Sequence, residues 1–242
     1  MSSPGATSGQ RESTGQPQHT HVGVYPQKQK GLNYIGAATS VGQMTAKQLL
    51  RVAELADLYG SGEIRLTVWQ NFIIPNIPDS YVETVRNALR KTGFETKTSH
   101  LRNGLIACTG NSYCKYAQTN TKAHALALAD YLEKKLSLDR PINIHLTGCP
   151  NSCAQHYMGD IGLLGTKTKG EESYHVFVGG GFGAHQGLGR QVFSNISHAE
   201  LPQTIEKMLN GYLRRRQAGE SFQQFTRRID LNTLQAIFSN DE

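Results

Sequence analysis

Residues 32–98 alternate between strand-like and helix-like spacing of hydrophobic side chains. One helical segment begins with a capping box, Thr45 with Gln48, and Gly60 stands where that helix would end. The pattern predicts, in order, a strand over 32–40, a helix over 45–60, a strand over 63–68 that 71–74 continue, a helix over 79–93 and a strand over 94–98. This β-α-β-(β)-α-β order is that of a ferredoxin-like sandwich, the split βαβ topology.

From residue 99 onward the pattern predicts strands and helices in alternation. Strands are predicted over 101–107, 142–146, 161–164 and 174–178, and helices over 115–135, 199–216, 221–228 and 232–238. We therefore predict an α+β chain in which a ferredoxin-like split βαβ half-domain over 28–98 is followed by an α/β domain over 99–242.

The first residues differ in composition from the rest. Residues 1–27 are rich in Ser, Gly, Gln, Thr and Pro, with almost no large apolar side chain before Val22, and this predicts a disordered tail. The chain shows no apolar core of a secretory signal and no apolar run near the roughly 20 residues of a membrane span. We expect a cytoplasmic protein with no membrane partner.

The formal net charge is +6, from 25 Lys and Arg against 19 Asp and Glu. A nucleic acid, an acidic protein or a polyanionic cofactor would each suit such an excess. Much of it lies near the C-terminus at helical spacing, without an aromatic platform or a groove-reading motif. We therefore expect no nucleic-acid partner.

The four cysteines of the chain stand in two tight pairs. Cys108 and Cys114 have the spacing C-x5-C, and Cys149 and Cys153 have the spacing C-x3-C. The first spacing is wider than that of the usual zinc knuckle, and the C-x2-C-x2-C run of simple ferredoxins is absent from the sequence. In a reducing compartment, four thiols favour metal or redox chemistry over disulfides. The loops favour an iron-sulfur cluster, with zinc and plain core packing as the alternatives.

The segments around these cysteines resemble a known family. Residues 107–114 (ACTGNSYC) and 147–165 (TGCPNSCAQHYMGDIGLLG) are similar to the signature of siroheme- and iron-sulfur-containing nitrite and sulfite reductases. Residues 60–75 (GSGEIRLTVWQNFIIP) resemble the second ferredoxin-like half-domain of that family. Residues 179–186 (GGGFGAHQ) and 219–228 (GESFQQFTRR) resemble its assimilatory nitrite-reductase branch.

The resemblance implies a 4Fe-4S cluster and a siroheme, with the last cysteine thiolate shared between them. Carried over residue by residue, it implies that Cys153 bridges to the siroheme iron and that the cluster ligands are Cys108, Cys114, Cys149 and Cys153. A shared thiolate would couple the cluster to the macrocycle directly.

Four further residues are implied as cofactor-binding positions. Gln70 and Asn71 lie in the strand that faces siroheme in the family, with ordinary strand-end hydrogen bonding as the alternative. Asn111 and Asn151 lie in the cysteine loops, where nearby main-chain amides would donate hydrogen bonds to sulfur and tune the reduction potential. Their alternative is a turn role, because asparagine tolerates left-handed dihedral angles.

The chain resembles only the second of the two homologous halves of such enzymes, and the basic residues that grip the oxyanion belong mainly to the first. Trp69 stands where the first half would have an arginine before Gln-Asn, and it cannot offer an arginine fork to nitrite. Siroheme carries several carboxylates. Arg65, Lys115 and Arg140 are candidates to bind them, although solvated surface charge is the favoured interpretation of these three.

Two classes of function follow from the sequence. The first is an oxidoreductase that reduces nitrite to ammonia, with an acidic donor such as ferredoxin and with a first-half partner chain or self-association to complete the pocket. A sulfite reductase half has the same cysteine signature and stays open. The second is an iron-sulfur electron-transfer or binding module without catalysis.

Overall fold

The structure, a computed structural model, describes residues 21–239. Its first part contains β1 (Gly23–Pro26), β2 (Leu32–Ala37), α1 (Ala46–Tyr59), β3 (Arg65–Leu66), β4 (Phe72–Pro78) and α2 (Val82–Lys91). The strands form an antiparallel sheet in the order β1-β2-β4-β3. The predicted ferredoxin-like half-domain is confirmed.

The boundaries of the half-domain differ from the prediction at two places. Gly23–Pro26 falls inside the predicted disordered tail but forms β1, because Val24 packs on the half-domain core and Tyr25 stacks on Tyr34 of β2. The tail prediction was therefore too long, and residues 1–20 lie outside the described residues. The predicted strand over 94–98 makes only a single bridge, from Glu95 to Ala38, whereas β1 pairs along β2.

β4 is longer than the prediction because it runs past Pro75 to Pro78. The register between β2 and β4 shifts at this point, and Asn76 has a φ of +61°. β3 pairs only with Phe72 and Ile73, so no neighbour on that side needs the missing N–H of Pro75. Proline is tolerated where the ladder is irregular or unpaired.

Both helices of the half-domain cover the same sheet. α1 begins as predicted, since the Thr45 side chain accepts from the Gln48 N–H and the Gln48 side chain accepts from the Thr45 N–H. The core joins the buried faces of α1 and α2 to the sheet and includes Val52, Leu55, Val85, Leu89, Ile35, Phe72 and Ile74.

The second part is an α/β domain around a five-stranded sheet. Its elements are β5 (Leu105–Ala107), α3 (Thr121–Lys135), β6 (Ile144–Thr147), β7 (Ile161–Thr168), β8 (Glu171–Val178), β9 (Arg190–Ser197), α4 (Leu201–Arg215), α5 (Phe222–Arg228) and α6 (Leu231–Ser239). The strand order is β5-β6-β7-β8-β9, with β5, β6 and β7 parallel and the later pairs antiparallel.

Two elements of this domain differ from the prediction. β9 was missed, because Val192 is its only fully buried residue and no clear alternation results. α3 starts at Thr121 and not at residue 115, because the Asn120 side chain accepts from the Ala123 N–H and caps the helix there. The residues before it therefore belong to the first cysteine loop.

Val41, from the loop after β2, is buried in the core of the second domain. The half-domain is thus anchored in its neighbour by an apolar side chain.

No helix within residues 21–239 combines the length and the apolar character that crossing a bilayer requires.

A buried pair of side chains joins the amino ends of β6 and β7. The Asp160 carboxyl accepts hydrogen bonds from the main-chain N–H of Asn143 at 2.9 Å and from its side-chain amide at 2.7 Å. The Asp160 N–H donates to Asn143 Oδ1 at 2.8 Å. Burial raises the pKa of Asp160 to about 7, although the Asn143 N–H and the Arg227 charge act in the opposite direction. This pair holds together the two strands that the second cysteine loop connects.

We expect the Asp160 carboxyl to make folding less favourable as the pH rises from about 4 to about 7. The native group keeps its proton over this range, whereas an unfolded aspartate, with a pKa of about 3.9, releases it. Asp160→Asn should remove this contribution and flatten the curve of urea midpoint against pH relative to the wild type. Asp57→Asn on the exposed face of α1 is the control. An identical slope in Asp160→Asn and the wild type would contradict the assignment.

Candidate metal centre

Cys108 and Cys149 follow two neighbouring parallel strands. Cys108 comes directly after β5, and Cys149 follows Thr147, the last residue of β6, after one glycine. Ala107 pairs with Leu146, and the Cys108 N–H donates to the Leu146 carbonyl at 3.0 Å. Because parallel strands end at the same edge of a sheet, the two cysteine loops start side by side.

Gly148 joins the two loops. Its N–H donates to Cys108 Sγ at 3.2 Å, and its carbonyl accepts from the Gln118 N–H at 2.7 Å. A Cβ at position 148 would lie 2.7 Å from the Cβ of Ala117, so a glycine is needed for this approach. An N–H that donates to a cysteine sulfur stabilises a metal-bound thiolate.

The first loop turns back so that Cys114 also lies near Gly148. The Cys114 N–H donates to the Gly110 carbonyl at 3.0 Å, and the Ala117 N–H donates to the Cys114 carbonyl at 3.2 Å. Since Ala117 packs against Gly148, Cys114 is one tight turn away from the second loop.

The second loop is a tight turn between its two cysteines. The Ser152 N–H donates to the Cys149 carbonyl at 3.2 Å, and Ser152 has a φ of +54°. The N–H of Ala154 donates to Thr147 Oγ1 at 3.2 Å, which folds the residue after Cys153 back onto the end of β6. All four cysteines therefore adjoin one edge of the sheet.

The thiols differ in exposure, and none forms a disulfide. Cys149 is buried, Cys108 and Cys114 are half-buried and Cys153 is exposed. Within residues 21–239 no three His, Cys, Asp or Glu side chains converge closely enough to hold one metal ion. A structural zinc ion needs that convergence, at Zn–S distances of about 2.3 Å, whereas a 4Fe-4S cluster spreads its thiolate ligands over several irons. Four free cysteine thiols are the donor set that a 4Fe-4S cluster uses.

An apolar wall lies beside the thiols. It consists of Trp69, Ile106 and Ala154, with Cys108 and Phe182 packed against it. The rings of Trp69 and Phe182 meet edge to face at 5.2 Å. Trp69 comes from the turn between β3 and β4, so the half-domain contributes directly to the surroundings of Cys108.

Two buried histidines support the second loop. Nδ1 of His145 lies 2.9 Å from the Ala154 carbonyl, and Nδ1 of His156 lies 2.9 Å from Ser152 Oγ. Burial lowers the pKa of each to about 4, with a further decrease at His156 from His145. Both rings are therefore neutral at pH 7 and add no positive charge beneath the loop.

The asparagines of the loops have different surroundings. The Asn111 N–H donates to the Thr119 carbonyl at 3.0 Å, and its side-chain amide donates to Glu172 Oε1 at 2.7 Å. Both groups of Asn111 therefore close the loop on itself and on β8. Asn151 is exposed in its turn. The left-handed positions of these loops are Gly110, Ser152 and Gln155, so both asparagines lie in turns without adopting the left-handed conformation.

Gln70 and Asn71 connect the half-domain to the site. Gln70 Nε2 donates to the Ala107 carbonyl at 2.9 Å, and Gln70 Oε1 accepts from the Ala107 N–H at 3.1 Å. The side chain of Asn71 accepts from the Thr39 N–H at 2.9 Å. Gln70 thus pairs with the last residue before Cys108, and Asn71 supports the turn that carries Gln70. Their cofactor-binding role stays a prediction.

Two family models match nearly all of the described chain. The nitrite/sulfite reductase ferredoxin-like half domain matches residues 25–92, and the nitrite and sulphite reductase 4Fe-4S domain matches residues 99–241. The chain belongs to the nitrite and sulfite reductase family. Membership of this family confirms the resemblance seen around the cysteines and implies a 4Fe-4S cluster with siroheme.

Relatives of known activity cover most of this chain. The ferredoxin--nitrite reductase of Synechococcus elongatus is 42% identical over 192 residues, which are 78% of this chain and 38% of the relative. The chloroplastic ferredoxin--nitrite reductase of Spinacia oleracea is 43% identical over 70% of this chain and 30% of its own length. Sulfite reductase [ferredoxin] 2 of Mycolicibacterium paratuberculosis is 37% identical over 88% of this chain and 40% of its own length. The chain spans well under half of each relative.

Solved structures agree with the family assignment. The NirA protein of Mycobacterium tuberculosis has a TM-score of 0.80 and 34% identity, over 88% of this chain and 41% of that protein. Dissimilatory sulfite reductase I has a TM-score of 0.73 at 14% identity, over 87% of this chain and 70% of that chain, which shows a shared fold.

The three basic candidates for siroheme binding in this family member are not gathered at the thiols. Arg65 is paired with Glu63 at 2.7 Å and is exposed. Arg140 donates to the Gly219 carbonyl at 2.8 Å. Lys115 follows Cys114 directly and lies over the Tyr116 ring at 5.0 Å. Of the three, only Lys115 belongs to a cysteine loop.

Gly148 and Glu172 are among the site residues that the sequence pattern did not single out. The glycine of the Thr-Gly-Cys run at Gly148 was a usable signal, since a glycine beside a ligand often marks close backbone approach. Glu172 gave no signal, because its contacts with Asn111 and with the N–H of Asn120 join residues far apart in the chain.

We expect Gly148→Ala to disturb the centre. The new methyl group would meet Ala117 and push the two cysteine loops apart, at a cost of about 1–3 kcal/mol in unfolding free energy. Iron and acid-labile sulfide bound per chain should fall. Ala117→Gly removes the opposing methyl group, so the double variant should recover much of the bound iron. Full iron content in Gly148→Ala alone would contradict the close approach.

Proposed function

We propose that this chain is the cofactor-bearing part of a siroheme-dependent nitrite reductase that converts nitrite to ammonia. The observation that carries the proposal is the meeting of both cysteine loops at the ends of β5 and β6, where the Gly148 N–H donates to Cys108 Sγ. Nitrite is favoured as substrate because relatives 42% and 43% identical are ferredoxin--nitrite reductases.

The cluster ligands in this proposal are Cys108, Cys114, Cys149 and Cys153. Their thiols are free, they adjoin one sheet edge, and one sulfur already accepts a main-chain N–H. Such hydrogen bonds lower the charge density on a thiolate and raise the reduction potential of a bound cluster. When bound, the cluster and siroheme supply stored electrons and the iron at which the nitrogen-oxygen bonds of nitrite break.

Cys153 is the thiolate that we assign to both groups. Its exposure supports this role, because a ligand shared with a second group needs an open side. The wall of Trp69 and Phe182 offers an apolar surface for a macrocycle beside the thiols. Gln70, Asn71, Asn111 and Asn151 remain proposed cofactor neighbours. The first two bind main-chain groups of Ala107 and Thr39, and Asn111 binds Glu172.

The pocket needs a further chain segment in this proposal. Trp69 offers no cationic fork for nitrite, so the basic residues come from a first-half partner chain or a second copy. Leu66 in the short edge strand β3 and Val68, two residues further along the chain, support such pairing, because they are 78% and 82% exposed. The proposed boundary between the two units lies between residues 98 and 99, and β1 extends the first unit from residue 28 back to residue 23.

An acidic protein such as ferredoxin is the electron donor in this proposal. The net charge of +6 would attract it, and the nitrite reductases cited above are named for the same donor. We also propose a cytoplasmic location, because a reducing compartment keeps cysteine thiols free.

A sulfite reductase is the second candidate. The sulfite reductase relative aligns with 88% of this chain, compared with 78% for the cyanobacterial nitrite reductase. The cysteine geometry serves either oxyanion, because it concerns electron delivery and not substrate choice.

We expect the anaerobically purified wild-type chain to contain iron, sulfide and an extractable isobacteriochlorin with a siroheme-type visible spectrum. Cys153→Ser should disturb the cluster and abolish its magnetic coupling to siroheme in Mössbauer and EPR spectra, because one thiolate serves both groups. Ser112→Ala, an exposed change in the first loop, is the control. Coupling that survives Cys153→Ser would refute the bridge. A cluster spectrum without siroheme would favour the electron-transfer module.

The two oxyanions can be compared on the tagged chain purified with its natural partners. With reduced methyl viologen as donor, we expect more ammonia from nitrite than sulfide from sulfite at equal substrate concentrations. The reverse order would select the sulfite reductase candidate. The chain separated from its partners should lose most of its turnover and keep its cofactor spectrum. The reason is that the basic residues that bind the oxyanion belong to the partner in this proposal.

A further inference from the structure

The carbonyl of Ala107, the last residue of β5, accepts two side-chain donors. Gln70 Nε2 lies at 2.9 Å and Lys122 Nζ at 3.2 Å. β5 is an edge strand, and Gln70 pairs with both main-chain groups of Ala107 as a neighbouring strand would. The peptide that leads into Cys108 is thus held from the side opposite β6.

Lys122 links this strand end to the half-domain. Its ammonium also donates to the carbonyl of Val41, whose side chain is buried in the second domain. Lys122 is half-buried in the first turn of α3. A single charge therefore joins the loop after β2, the end of β5 and the start of α3.

The position of Lys122 is unfavourable for an ordinary surface lysine. A cation in the first turn of a helix faces the positive end of the helix dipole. Burial lowers the pKa of Lys122, whereas the neighbouring Cys108 raises it. Carbonyls are its acceptors among the described residues, and no carboxylate there balances its charge. Burying such a cation costs free energy, and a nearby negative group would reduce that cost.

We propose that Lys122 is a positioning residue that holds Cys108 at the end of β5 and raises the reduction potential of the cluster bound there. This inference rests on the cluster in the proposed function. A reduced cluster carries one more negative charge than an oxidised one, so an uncompensated cation beside a ligand thiolate stabilises the reduced form.

The reduction potential of the cluster tests whether the charge of Lys122 stabilises the reduced form. Lys122→Met keeps most of the length of the side chain and removes its charge, so the cluster midpoint in an EPR-monitored redox titration should shift to more negative values. Lys122→Arg should recover most of the shift. Lys134→Met, an exposed cation in the last turn of the same helix, is the matched control and should leave the midpoint at the wild-type value.

Amide hydrogen exchange of the full chain tests whether Lys122 holds the end of β5 in place. This measurement does not require the cluster. Lys122→Met should speed amide exchange in peptides that cover 105–108 and 39–41, relative to Lys134→Met, because both carbonyls lose a donor. This readout keeps the inference testable in a variant that binds less iron.

The outcomes separate the two proposals. A wild-type chain that binds no cluster would refute the proposed cofactor and this inference with it. A wild-type cluster whose midpoint Lys122→Met leaves unchanged would refute the tuning role alone. Unchanged exchange at both segments would refute the positioning role.

Discussion

The parallel pairing of β5 with β6 is the contact on which the candidate centre depends. Because both strands run in the same direction, each delivers a cysteine loop to the same edge of the sheet. The N–H of Gly148 can then donate to Cys108 Sγ, in a space that a side chain at position 148 would fill. Asn143 and Asp160 hold the amino ends of β6 and β7. The geometry of the thiols is therefore set by strand register as well as by loop sequence.

The half-domain takes part in this centre and does not merely precede it. Gln70 occupies the free edge of β5, Val41 enters the core of the second domain, and Trp69 forms part of the wall beside Cys108. Every one of these residues lies in a loop or turn at the same end of the first sheet. The arrangement explains how a small antiparallel sheet can influence a cofactor held by cysteines of another domain.

Local patterns predicted the elements that carry local signals. α1 could be located because Thr45 and Gln48 cap it through contacts three residues apart. β1 and β9 could not be located, because β1 has only four residues, two of them Gly and Pro, and β9 buries only Val192 completely. The start of α3 was missed because the residues before the Asn120 cap are held in the first cysteine loop, with the Gln118 N–H bound to the Gly148 carbonyl of the second loop.

The sequence by itself determined the four cysteines, their spacing and the family that the chain belongs to, because ligand chemistry lies in residue type and short-range order. Only the tertiary structure decided which groups surround the thiols: the Gly148 N–H, the Gln70 amide and the Lys122 ammonium. These contacts join segments far apart in the chain. They depend on strand pairing and on unusual backbone conformations, such as the φ of +59° at Gln70, which local hydrophobic patterns do not encode.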